Sequence, residues 1–134
     1  MNRTHLEGAA EKLTTQRDYT FYTGPEDDMG HTVRNYPAAW LAPPELHAVE
    51  GRTHGRATYD MTLHLLRPGA RISPAERRTA LAEMEAQMIE IFAELSLDER
   101  ILAVEGLSVR PRSFSLTPHG EISQTATARI VTWF

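Results

Sequence analysis

The chain has 134 residues, a formal net charge of −4 and no cysteine. That length is enough for one domain with a proper core, and the acidic balance excludes a general polyanion binder, whose domain is basic overall. Missing cysteine excludes disulfides, thiolate metal sites and cysteine nucleophiles, and no apolar run reaches the ~18–20 residues that cross a bilayer. The opening Met1-Asn2-Arg3-Thr4-His5-Leu6 lacks the apolar stretch of a signal peptide. The expected location is therefore the cytoplasm, of a bacterium or of a virus replicating inside one.

Thr4 and Glu7 have capping-box spacing, and Leu6, Ala9, Ala10 and Leu13 recur at helical intervals, so a helix is expected from Thr4 to about Arg17. Tyr19 to Thr23 reads as a strand that Gly24-Pro25 ends. Glu26 to Asn35 has no periodicity and is expected to be a long loop carrying Asp27, Asp28 and His31. Tyr36 to Ala42 reads as a short strand before Pro43-Pro44, and Leu46 to Gly55 as a mixed polar connection.

The strongest strand signal follows. Ala57, Tyr59, Met61, Leu63 and Leu65 alternate with Thr58, Asp60, Thr62 and His64. On this reading His64 sits on the polar face and pairs with Asp60 at the surface. Ser73-Pro74-Ala75-Glu76 then opens a helix running to Leu95, with a serine cap, proline at the first turn and glutamate at the third position. Ile101 to Val109 is expected to be a strand covered on both faces. Ser113 to Leu116 and Glu121 to Phe134 are expected to form a closing hairpin about Pro118 and Gly120. The fold class is α+β: a mixed sheet, an N-terminal helix and one long amphipathic helix, in the order α-β-β-β-α-β-β.

The long helix carries Arg77 and Arg78 near its start and Glu90 and Glu94 near its end, against its own dipole. A strand–helix–strand unit within one sheet makes its strands parallel. Threaded that way, Arg67, Arg71, Arg77, Arg78, Arg110 and Arg112 gather at one end, opposite Glu90, Glu94, Asp98 and Glu99. A two-ended surface suits head-to-tail contacts, which close into rings when the rotation allows. Asp27 and Asp28 in the loop and Trp133 and Phe134 at the terminus complete the candidate interface.

Six histidines lie scattered without the i, i+4 metal spacing. No cofactor or metal is expected, although Asp27, Asp28 and His31 are the residues a metal-dependent enzyme would use. No nucleophile elbow or phosphate loop is present either. Arg67, Arg71, Arg77 and Arg78 beside a helix start provide the alternative, an anion-binding or regulatory domain.

Three segments are similar to the small tail-terminator and tail-completion proteins of long-tailed bacteriophages. They are Tyr36-Pro37-Ala38-Ala39-Trp40-Leu41, the strand Tyr59 to Leu66, and the helix Pro74 to Leu95 with its following strands. The resemblance implies a non-enzymatic structural subunit that assembles as a homo-oligomeric, commonly hexameric, ring. That ring would cap the tail tube and join it to the head connector, close to DNA and away from membranes.

Overall fold

A computed structural model describes residues 2–112 and 115–134. The fold is α+β, with an N-terminal helix and a long helix packed on one mixed sheet of six strands. In chain order the elements are α1 (Asn2–Thr15), β1 (Thr20–Thr23), a 3₁₀ turn (Glu26–Asp28), α2 (Met29–Thr32), β2 (Ala38–Leu41), β3 (Glu45–Gly51), β4 (Gly55–Arg67), α3 (Pro74–Leu95), β5 (Ile101–Pro111) and β6 (Ile122–Trp133). The sheet order is β1-β2-β4-β6-β5, with β3 lying beside the first half of β4.

The long helix forms as its sequence demands. The Ser73 side chain accepts from the Glu76 amide, and the Glu76 carboxylate accepts from the Ser73 amide. Met84, Met88, Ile91, Phe92 and Leu95 face inward and bury against Met61, Leu63, Leu65, Ala126 and Ile130. Leu6, Ala10 and Leu13 of α1 complete that layer. β4 and β5 both run antiparallel to β6, so they are parallel to one another, and β6 lies between them. The crossover is therefore real, but its two strands are not neighbours.

Several local expectations are corrected. The first helix is already formed at Asn2, so Thr4 lies inside it and does not cap it. Glu26 to Asn35 is not an unstructured loop, because it holds the 3₁₀ turn and α2. The connection Leu46 to Gly55 is mostly strand: β3 pairs with β4, and Gly51 has φ +97° at the hairpin that joins them. Four strands, not three, thus precede the long helix. β5 is an edge strand with only Ile101 buried, and two register shifts interrupt its pairing. The closing hairpin joins β5 to β6. Of its expected first arm, Ser115 and Leu116 are not strand, and Ser113 lies outside the described residues.

The largest correction concerns the second face of the sheet. Met29 and Val33, from α2 and the residue after it, pack over Ala38, Trp40 and Leu66. The upper half of β4 is consequently buried on both sides, and His64 has no exposed surface. His64 does not pair with Asp60, which bonds His47 at 3.3 Å and Arg129 at 3.5 Å.

Candidate interaction surfaces

β4 delivers Arg67 opposite Ile122, and β5 delivers Arg110 opposite Thr125, so both arrive at the start of β6. Arg71, in the connection after β4, and Arg77 and Arg78, at the beginning of α3, follow directly in the chain. The six arginines therefore occupy the same end of the strand–helix–strand unit. Their chemistry differs. Arg67 is held inside the chain: it donates to Glu83 at 2.7 Å, to Gln87 at 2.9 Å and to the Tyr19 hydroxyl at 3.1 Å. Burial pushes the Tyr19 hydroxyl above its ordinary pKa, with Arg67 opposing. Arg112 donates to Thr125 at 3.0 Å, and Arg110 to Ser108 at 3.2 Å. Among the described residues Arg71, Arg77 and Arg78 make no ion pair, and Arg71 and Arg78 are exposed.

The acidic end is largely answered from within. Arg17, just past α1, bonds Glu94 at 2.7 Å and Glu90 at 3.4 Å. Asp98 takes His5 at 2.7 Å and the Arg100 amide at 2.9 Å. Burial of Asp98 opposes its ionisation, but the Arg100 amide and the His5 contact outweigh it and hold the carboxyl below its usual range. What faces solvent at this end is therefore much less acidic than the sequence suggests.

A polar relay runs beneath the 3₁₀ turn. The Arg112 Nε donates to the Thr125 hydroxyl, which lies 2.7 Å from His64 Nδ1, and His64 Nε2 lies 3.1 Å from Glu26. A neutral imidazole satisfies all three contacts when Nε2–H donates to Glu26 and Nδ1 accepts from Thr125. Burial lowers the His64 pKa; Glu26 opposes and the Arg112 charge adds to the lowering. The connectivity resembles a hydrolase triad, yet Thr125 is 7% exposed and His64 0%, which leaves no approach for a substrate. The relay is better described as a tether for the segment that covers the second face. Beside it, buried Glu121 accepts from the Leu116 and Thr117 amides and the Thr117 hydroxyl, fixing the loop before β6.

Asp27, Asp28 and His31 are exposed on that segment and, among the described residues, gather no metal-binding cluster. Trp133 and Phe134 are 56% and 49% exposed. Sequence reasoning missed their companions. Leu46 and Val49 of β3 are equally open, and register places them beside Tyr59 and Ala57. On another part of the surface Ile89, Leu97, Leu102 and Leu107 are exposed. Leu102 and Leu107 fall at the two irregularities of β5, where a bulge turns a side chain away from the ladder. A groove of about 810 Å³ lies between α1 and the end of α3, lined by Gly8, Leu13, Leu95 and Leu97, with Lys12 and Arg100 also lining it.

No protein-family model and no curated protein matches the chain.

Proposed function

We propose that this chain is a structural, ring-forming subunit of the tail-terminator kind, which caps a phage tail tube and joins it to the head connector. The observation that carries the reading is the distribution of exposed apolar side chains. They lie at unlike places: Leu46, Val49 and Phe134 at the end of the sheet, Ile89 and Leu97 on and just after α3, and Leu102 and Leu107 on β5. Soluble monomers rarely expose contiguous apolar patches without use. Two unlike patches favour a heterologous, head-to-tail contact, the kind that closes into a ring. In such a ring Arg71, Arg77, Arg78 and Arg110 would meet an acidic neighbour or passing DNA, and Asp27 and Asp28 would meet the tube or connector.

The anion-binding alternative ranks second because Arg67, its central cation, already spends its donors on Glu83, Gln87 and Tyr19. The test is electron microscopy of the purified chain with and without its tail-tube protein. Closed rings that attach to tube ends are expected. Isolated particles of single-subunit size that ignore the tube would overturn the proposal.

A further inference from the structure

The sheet outruns its helices. At the β3 end, Leu46 and Val49 share the helix-side face with Tyr59 and Ala57, and both are left about half exposed. Phe134 lies against the same corner, since a Cβ placed at Gly55 would stand 2.8 Å from its ring. Ala57, Tyr59, Trp133 and Phe134 line one shallow hollow together with Arg100. Arg3 stands beside Leu46 on the other flank, in a hollow that also holds Glu45. Register sends Glu45 and Glu50 toward the opposite face, with Asp60 and Arg56. An apolar patch with Arg3 and Arg100 at its borders is left uncovered.

α3 has a second apolar face besides its buried one. Ala82, Ala86, Ile89 and Ala93 are exposed and recur at i, i+4, i+7 and i+11, and Leu97 continues the line. A helix apolar on two sides is normally buried on two sides. Glu85 flanks this face on one side and makes no ion pair among the described residues, while Glu90 flanks it on the other, 3.4 Å from Arg17. Arg78 lies near the start of the helix, about 16 Å from Ile89 along the axis.

We propose that the apolar sheet end of one copy, around Val49 and Phe134, seats on the outer face of α3 around Ala86 and Ile89 in a second copy. The proposal rests on the assembly reading above and names the contact that builds it. Charge chooses this pairing over the symmetric ones. Two α3 faces in contact would set glutamates against glutamates, and two sheet ends would set arginines against arginines. The mixed pairing brings Arg3 and Arg100 toward the unpaired Glu85. The alanines allow the aromatic ring of Phe134 to approach the helix closely. Because the two surfaces differ, each copy keeps one of each free until the ring closes.

Two exposed substitutions test this without touching the core: Val49→Glu disables the sheet end, and Ala86→Arg disables the helix face. Sedimentation velocity and native mass spectrometry read the outcome. Each variant alone should be a 15.1 kDa monomer. Mixed in equal amounts, they retain one good surface of each kind and should form a heterodimer that grows no further. Circular dichroism should show both variants folded; if either is unfolded, Val49→Asp or Ala86→Lys replaces it. Variants that assemble like the wild type would overturn the contact while leaving assembly intact. Monomeric variants that do not dimerise on mixing would overturn the heterologous pairing. A monomeric wild type would overturn the assembly reading itself.

Discussion

The guanidinium of Arg17 lies 2.7 Å from the carboxylate of Glu94 and also donates to the Leu13 carbonyl at 3.0 Å. One side chain thus closes the end of α1 and answers the acids at the end of α3. Read along the sequence, Glu90 and Glu94 oppose their own helix dipole. Read in the fold, they are placed for a cation 73 and 77 residues away. The local cost is offset by a tertiary contact, and the unpaired part of the reversed pattern is confined to Arg77 and Arg78.

That division has a measurable consequence. Glu94 is 48% exposed, so Glu94→Gln should cost less than about 1 kcal/mol. Arg17→Ala should cost more, about 1–2 kcal/mol, because the Leu13 cap and both ion pairs go together. Urea denaturation of the two variants checks the order. Equal losses would mean that the cap contributes nothing.

His64 couples the stability of the fold to pH. Burial lowers its pKa below the ordinary 6.5, so the unfolded chain binds the proton more tightly than the folded one. The stability it confers is complete above pH 6.5 and is lost as the pH falls through that value toward the lower folded one. Urea midpoints measured between pH 8 and about pH 5 should fall more steeply for the wild type than for His64→Gln. Parallel curves would show that His64 titrates as if it were exposed.

The second core should behave as a core. Leu66 is fully buried beneath Met29 and Val33, on a face whose sequence reads as polar. Leu66→Ala should destabilise by about 2–5 kcal/mol in chemical denaturation. A loss below about 1 kcal/mol would place this face in contact with water.

What the sequence disclosed follows the range of each interaction. The α3 start was legible because its capping box lies within four residues, Ser73 to Glu76. β4 was legible because one of its faces alternates without interruption. β3 was not, since six of its seven residues are exposed and an edge strand open on both faces imposes no period. His64 was misplaced because its cover comes from Glu26, 38 residues earlier, and no local pattern encodes that. Within the candidate surface, Trp133 and Phe134 stood out as a terminal aromatic pair. Leu46 and Val49 became partners to Phe134 only once β3 was laid beside β4.

Sedimentation velocity of the unmodified chain, run from low to high salt at high protein concentration, bears most directly on the central claim. A single discrete oligomer larger than a dimer, loosened as salt screens the arginine–glutamate borders, is the expected result. A strict 15.1 kDa monomer at low salt would contradict it.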